Sequence, residues 1–347
     1  MNLYPFFKPL AFQMDPENIH DLSMNIFSKT PKISTLFPSW AQDDRYKLSD
    51  GHMEWNNPVG LAAGFDKNAK AMDFFSRVGF GATEVGTVTL EPQIGNDKPR
   101  IWRYPNLHSI RNAMGFPNLG SAEIYSNIIK HKKTGTPLGV NIGKNKNTSV
   151  IDTPTEYAKL YEMFAPICDY LVINISSPNT PGLRELQTKE AFTEICQAVD
   201  EKRKRNPKPL YLKISPDSNS EDIRDLVELS KEYKMSGIIA TNTTSNHQFQ
   251  NGGMSGAYVK DISLKMRKLV CEMTKETRDL SVIGVGGINS FQEILEFWKD
   301  GGSMVQLYSS FIFKGPKVLT NIKDELDLYM HNLGFKNVQQ LTDSFKK

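Results

Sequence analysis

Cysteine is scarce in this chain. Three residues among 347, Cys168, Cys196 and Cys271, are too few and too scattered for a disulfide framework, an iron–sulfur cluster or a cysteine-built zinc site. A reducing compartment fits that usage. No apolar run approaches the roughly 18–20 residues that a membrane-spanning helix needs. The N-terminus has no charged region followed by an apolar core and a small-residue cleavage site, so secretion is not expected. Charge of one sign is lacking too: Lys+Arg 42 against Asp+Glu 39 leaves a net +3, too little to argue for a nucleic-acid partner. What is present is a globular composition, 39% hydrophobic and 23% charged. The length admits two domains of roughly 150 residues, or one large α/β barrel with an appendage.

Eight short apolar runs organise the chain: Pro58–Phe65, Ala82–Thr89, Pro137–Gly143, Tyr170–Ser176, Leu210–Ser215, Gly237–Thr241, Ser281–Gly287 and Met304–Tyr308. Each is rich in Val, Ile or Leu and ends in small or polar residues rather than a hairpin turn. Helical patterns lie between most of them. In Glu221–Lys234, Ile223, Leu226, Val227 and Leu229 share one face, with charges opposite. Buried strands alternating with amphipathic helices mean parallel pairing, and eight such units predict a closed (β/α)8 barrel rather than an open sheet. Two excursions interrupt it. Leu90–Thr136 reads as a helix only near Leu119–Lys133, and its remainder is expected to be a functional loop. Ser245–Gly256 follows the sixth run and carries three glycines.

Residues 1–45 stand outside the alternation. Asp15-Pro16-Glu17 is a helix start, with Asp as N-cap and Pro in the first turn. Ile19, Leu22, Ile26 and Phe27 follow on one face. Ahead of them Leu3, Tyr4, Phe6, Phe7, Leu10 and Phe12 crowd into a short segment. Two readings fit: a helical hairpin packed on the barrel, or a hydrophobic platform facing a membrane or an apolar ligand. Lys47–Trp55 is expected to form a hairpin capping the barrel bottom.

Barrel chemistry sits at the carboxyl ends of the strands. Read in order, those ends supply Asp66 and Lys67, Thr87, Asn141 and Lys144, Asn174 to Thr180, Lys213, and Thr241 to Thr244. The long loop adds Asn112 to Phe116. Any one of these has a dull explanation as a turn or a solvated side chain. Their convergence on one mouth, with no His or Cys and hardly a carboxylate, is the signal. Such a set lacks the ligands that a catalytic metal needs. Neutral amides suit a small planar heterocycle with ring N–H and C=O groups, and a lysine suits its carboxylate. Nothing in the set does redox chemistry, so a cofactor has to supply it. After the seventh run, Gly284-Val285-Gly286-Gly287 offers bare backbone N–H groups, and Tyr308-Ser309-Ser310 follows the eighth. Those two loops are the usual phosphate site of a barrel. A phosphate and a redox need together point to FMN, with Lys213 beside the flavin to stabilise its reduced anion.

The segments Ala63-Gly64-Phe65-Asp66-Lys67-Asn68, Gly95-Asn96-Asp97-Lys98-Pro99-Arg100, Asn141-Ile142-Gly143-Lys144-Asn145, Asn174 through Arg184, Ala240-Thr241-Asn242-Thr243-Thr244 and Gly284 through Ile288 closely resemble dihydroorotate dehydrogenase. The resemblance runs through the whole chain. Ser177, where the soluble class 1 branch has cysteine, is similar to the quinone-dependent class 2 branch, as are the N-terminal helices with Asp15-Pro16-Glu17 and His20. This resemblance implies an FMN-binding barrel over residues 46–347 and a helical extension over 1–45 that gives access to membrane and quinone. It implies FMN contacts from Ala63, Gly64, Phe65, Asp66, Lys67, Thr87, Asn141, Asn174, Lys213, Thr241, Gly256, Gly287, Tyr308 and Ser309. Dihydroorotate is expected at Lys67, Asn112, Ala113, Met114, Gly115, Phe116, Asn174, Asn179, Asn242 and Thr243. Ser177 is the expected base for the C5 proton while hydride leaves C6 for flavin N5, with Thr180 and Phe116 as its proton relay. His20, Arg103 and Tyr308 are the expected polar contacts of the quinone head. Two departures from the family pattern stand out: Ala113 replaces an arginine, and the loop after the sixth strand is shorter than in bacterial members, which bears on Gly256 and the lid.

The implied activity is oxidation of (S)-dihydroorotate to orotate in pyrimidine synthesis, with a membrane quinone as acceptor. A monomer is expected, bound peripherally to the membrane surface, with no nucleic-acid partner and no metal. The cytoplasmic face of a bacterial membrane is the expected location, or the inner mitochondrial membrane for a eukaryotic chain trimmed of its presequence. Three rivals remain testable. A class 1 enzyme using fumarate or NAD would lack the extension and carry a cysteine base. A dihydrouridine synthase-type barrel would carry a cysteine acid and a basic tRNA-binding domain, and here the tail offers only Lys346-Lys347. A barrel kept as a binding scaffold would be colourless.

Overall fold

A computed structural model describes residues 2–131, 135–180, 182–249, 251–275 and 279–346. Pro181 of the quoted motifs, residues 132–134 at the expected end of a helix, and Lys347 lie outside the described residues.

The chain begins with α1 (Tyr4–Gln13) and α2 (Pro16–Lys29), then a small hairpin of β1 (Leu48–Ser49) and β2 (Glu54–Trp55). Next come β3 (Val59–Asp66), α3 (Met72–Val78) and β4 (Thr83–Val88), followed by the first excursion, β5 (Ile101–Tyr104), β6 (Ser109–Asn112) and α4 (Ser121–His131). Regular alternation resumes with β7 (Leu138–Ile142), α5 (Thr153–Phe164), β8 (Tyr170–Asn174), α6 (Lys189–Arg203), β9 (Leu210–Ile214), α7 (Ser220–Glu232) and β10 (Gly237–Ala240). After the second excursion, β11 (Gly253–Gly256), the chain ends with α8 (Lys260–Thr274), β12 (Ser281–Val285), α9 (Phe291–Lys299), β13 (Val305–Leu307), α10 (Ser309–Lys314), α11 (Lys317–Leu333) and α12 (Val338–Ser344).

The eight expected runs are the eight strands of a closed parallel barrel, in the order β3-β4-β7-β8-β9-β10-β12-β13, with β13 returning to pair with β3. Every residue of β4, β7, β8, β9 and β10 is buried, as strands covered by helices outside and by packed side chains inside must be. In α7 the Asn219 side chain accepts from Glu221 N and Asp222 N, and Ile223, Leu226, Val227 and Leu229 form the buried face that the periodicity predicts. The helix stops at Glu232, and Lys234 follows at φ 49°, short of the reading to Lys234. The β1–β2 hairpin caps the barrel bottom as expected: Trp55 is fully buried against Tyr170, and Asp50 accepts from Tyr211 Oη and Ser281 Oγ, each at 2.7 Å.

The two excursions meet. β5 and β6 are antiparallel, and β11 adds to β6 with Gly253 opposite Asn112, giving a three-stranded sheet beside the barrel mouth. At the N-terminus the reading of helices packed on the barrel describes what forms. Asp15 caps α2 through Glu17 N and Asn18 N, and α2 packs on the barrel, with Phe27 stacked on Phe74 at 3.8 Å. The first helix lies on α10 through Tyr4 Oη to Ile312 O and Lys8 Nζ to Phe313 O, but leaves Phe6 79% and Leu10 66% exposed.

Candidate active site

One continuous cavity of about 580 Å³ runs from Phe12, Ile19 and Phe27 of the N-terminal helices, past Phe65 and Tyr308, to Ser177 and Asn179 at the barrel mouth. Its size lies within the roughly 300–1,000 Å³ of small-molecule sites.

Its floor is a hydrogen-bonded set from successive strands. Thr87 Oγ1 donates to Asn141 Oδ1 at 2.6 Å, and Asn174 Nδ2 donates to both Thr87 Oγ1 and Asn141 Oδ1 at 3.0 Å. Asn141 Nδ2 donates to Glu84 Oε1 at 2.8 Å, and Lys213 Nζ lies 3.8 Å from that same oxygen. The Gln306 amide and the Tyr170 hydroxyl donate to Glu84 Oε2. Among the described residues, every polar group that hydrogen-bonds this fully buried carboxylate is a donor. Burial pushes the Lys213 ammonium below the ordinary lysine range, and the Glu84 charge opposes that fall. Glu84 itself does not line the cavity, so the mouth keeps hardly a carboxylate, as expected.

The roof carries the other amides. Asn179 Nδ2 donates to Asn112 Oδ1 at 3.0 Å, Asn242 Nδ2 donates to Ser176 Oγ at 3.1 Å, and Ser176 Oγ donates to Asn174 Oδ1 at 3.2 Å. Ser177 is buried, and its Oγ accepts from Asn179 N at 3.3 Å. Phe116 holds φ 52°, a left-handed conformation that side chains rarely adopt, and Gln93 Nε2 and Asn118 Nδ2 pin its carbonyl. Ala63, Gly64, Lys67, Met114, Gly115, Thr241, Thr243, Gly256, Gly287 and Ser309 also line the cavity, together with His20 and Arg103.

Four expected residues stand off the lining. Asn141 acts through Thr87 and Asn174. Ala113 is buried behind the roof. Thr180 is buried too, and its Oγ1 has no hydrogen-bond partner among the described residues. Asp66 departs furthest from the expected cofactor contact: its carboxylate accepts from Lys70 N at 2.8 Å and Ala71 N at 2.7 Å, closing the loop after β3. Arg103 also has partners that the sequence did not suggest. It donates to Ala11 O, Phe12 O and Met14 O at the end of α1, and its guanidinium lies over the Phe12 ring. His20 Nε2 lies 3.5 Å from Lys67 Nζ, and burial together with that ammonium holds the imidazole well below its usual range. His20 is therefore neutral at pH 7. Tyr308 donates to Gly64 O at 3.3 Å, and burial pushes its hydroxyl up to about 12.

Beyond β12 the backbone itself forms a cradle. Gly286 and Gly287 hold φ 101° and 77°, and a Cβ on Gly287 would lie 2.5 Å from Lys260 Cα. Gln306 Oε1 and Ser310 Oγ, both on the lining, are buried polar atoms without hydrogen-bond partners among the described residues. Orphaned polar atoms around a cavity fit a polar ligand that supplies the missing bonds.

The family model for dihydroorotate dehydrogenase matches residues 49–330. The chain belongs to the dihydroorotate dehydrogenase family. It is thereby an oxidoreductase. The dihydroorotate dehydrogenase (quinone) of Christiangramia forsetii is 39% identical over 333 residues, covering 92% of this chain and 97% of that protein. Its counterpart from Idiomarina loihiensis is 39% identical over 339 residues, covering 93% of this chain and 100% of its own length. Among solved structures, the Eimeria tenella enzyme in complex with ferulenol superposes with a TM-score of 0.85 at 33% identity, covering 94% of each chain. In family terms the sequence missed Glu84 and Gln306, because a polar residue inside an apolar strand reads as noise until the strand's neighbours are known.

Proposed function

We propose that this protein oxidises (S)-dihydroorotate to orotate, with FMN as its bound cofactor and a membrane quinone as second substrate, in the pyrimidine route to UMP. The observation that carries this reading is the single cavity that joins a mouth of four asparagines and Ser177 to an apolar passage between the N-terminal helices. One end suits a small polar heterocycle, and the other suits a ligand with a greasy tail and two carbonyls.

Gly286, Gly287 and Ser309 would hold the FMN phosphate, and Lys213, Thr87 and Asn174 its ring. When bound, the flavin supplies a two-electron acceptor that no side chain of the site can provide. Asn112, Asn174, Asn179 and Asn242 orient the substrate ring by matching its amide groups, and Lys67 meets its carboxylate. Ser177 Oγ takes the C5 proton, and Thr180 and Phe116 form the path along which that proton leaves and the wall that keeps water out. His20, Arg103 and Tyr308 line the passage where the quinone head approaches.

Residues 1–45 serve as the access element for membrane and quinone. Among the described residues no helix is long and apolar enough to cross a membrane. The exposed Phe6, Phe7 and Leu10 of α1 suit peripheral contact with a lipid surface instead. The protein works as a monomer in this reading.

The purified protein should be yellow. Anaerobic dihydroorotate should bleach it, and a long-tailed quinone should restore the colour. A colourless protein that FMN cannot reconstitute, or one that fumarate or NAD reoxidises in place of quinone, would reject the assignment. Gly287→Ala tests the phosphate cradle, since the added methyl would meet Lys260 and force a left-handed alanine. The variant should keep its circular dichroism and lose most of its flavin absorbance relative to protein. A fully loaded Gly287→Ala protein would move the phosphate elsewhere.

A further inference from the structure

Asn96 does not line the central cavity, yet it holds both loops that form its roof. Its Nδ2 donates to Ala113 O and to Asn179 O, each at 3.0 Å. Its backbone N–H donates to Met114 O at 3.0 Å, and its Oδ1 accepts from Lys146 Nζ at 3.3 Å. A Cβ on Gly115 would come within 2.7 Å of Asn96 Cγ, so the loop lies flat on this side chain. The two loops bring Asn112 and Asn179 together at 3.0 Å.

Asn96 is itself held from behind. Arg100 Nη1 donates to Asn96 O at 2.7 Å and to Ile94 O. The rest of the guanidinium forks onto Glu17, Nε to Oε2 at 3.1 Å and Nη2 to Oε1 at 2.7 Å. Both side chains are buried. Burial alone would raise the Glu17 carboxyl, but Arg100 and Lys98 outweigh it and hold the group ionised below its usual range. A forked pair of this kind fixes the guanidinium plane as well as its distance. Glu17 belongs to the first turn of α2, so an unbroken chain of contacts runs from the N-terminal helix to the roof of the mouth.

We propose that Asn96, held by Arg100 and Glu17, is the positioning residue for the dihydroorotate pocket, so that a side chain of the N-terminal helix governs affinity on the substrate side. The proposal rests on the reading that Asn112 and Asn179 contact dihydroorotate. Amides select a planar ring only if both face it in one orientation, and the Asn96 donor pair fixes the loops that carry them. Without that clamp the substrate must order the loops as it binds, which weakens affinity. The cofactor floor, built on Lys213 and Gly287, has no part in the clamp.

The test compares Asn96→Ala, Asn96→Asp and Glu17→Gln with the unaltered flavin-loaded protein. Flavin content, the Kd for orotate from the flavin absorbance change, and the KM values for dihydroorotate and quinone are measured. Asn96→Ala should raise orotate Kd and dihydroorotate KM roughly tenfold, the scale of two lost hydrogen bonds. Flavin content and quinone KM should stay unchanged. Asn96→Asp keeps the shape but faces two carbonyls with a carboxylate, and should weaken orotate at least as much. It decides the matter if the alanine variant fails to fold. Glu17→Gln should shift the same two constants by roughly threefold. Unchanged orotate affinity in the Asn96 variants would overturn the proposal. So would a Glu17→Gln protein whose quinone KM rises while its dihydroorotate KM does not. If the unaltered protein holds flavin but binds no orotate, the functional reading itself fails, before any variant is compared.

Discussion

Replacing Ser177 with alanine is expected to slow flavin reduction by dihydroorotate by roughly 10²–10⁴-fold, the loss typical of a missing general base. Orotate should still bind, because the four asparagines and Lys67 remain. The Ser177 hydroxyl is buried, and among the described residues its oxygen accepts one long bond, from Asn179 N at 3.3 Å, so it stays available to a substrate proton. A serine hydroxyl is a weak base near neutral pH and needs somewhere to pass its proton. Thr180 Oγ1, buried and without a partner among the described residues, is a polar atom waiting for such a link. Ser177→Cys should keep part of the activity with its pH profile moved to lower pH, since a thiol ionises more readily. Anaerobic stopped-flow reduction measures both variants. An unchanged rate in Ser177→Ala would mean that another group takes the proton.

The Lys213→Ala variant should lose flavin reduction and most of its bound flavin. A positive charge in a dry site is worth far more to a developing anion than the same charge in water. The substitution has a second effect that must be separated from the first. It leaves Glu84, fully buried and 3.8 Å from the lost ammonium, without its counter-charge. Stranding one member of a buried pair costs about 3–5 kcal/mol. The double variant Lys213→Ala, Glu84→Gln removes that stranded charge. Its thermal midpoint should recover toward that of the unaltered protein while reduction stays lost. If reduction recovers along with stability, the lysine only neutralises Glu84 and has no role in the chemistry.

Both predictions involve residues that differed in legibility. Ser177 could be read because it follows a continuous apolar run, and Lys213 because a lone lysine inside the apolar run of β9 is out of place unless it has work at the mouth. Glu84 is the second residue of β4, between Thr83 and Val85, and only barrel closure shows that its carboxylate points at Lys213, Asn141 and Gln306. The eight strands were legible because parallel strands buried on both faces leave an unbroken apolar signature. The sheet beside the mouth was not, since β6 and β11 are far apart in sequence and neither is apolar enough to announce itself. Asp66 misled for another reason: the resemblance placed it among the cofactor contacts, whereas its carboxylate turns back to close the loop after β3. At the N-terminus, composition could not say which helix packs and which stays bare. That depends on partners on α3 and α10, which the pattern does not reveal.

Barrel closure by β13 against β3 bears on how the protein is made. Val305 pairs with Val59, so the first strand has only one barrel neighbour until nearly the whole chain has left the ribosome. The cavity lining draws on both sides of that seam, Gly64 from β3 and Tyr308 just past β13. A flavin held across that seam, as proposed above, would need both sides in place, so a nascent chain could not take it up strand by strand. The proposed cofactor would then join a closed barrel, and colour would mark completed closure. Until that moment the edges of β3 and β12 lie open, and this is the interval in which the chain is most exposed to wrong pairing and to chaperones.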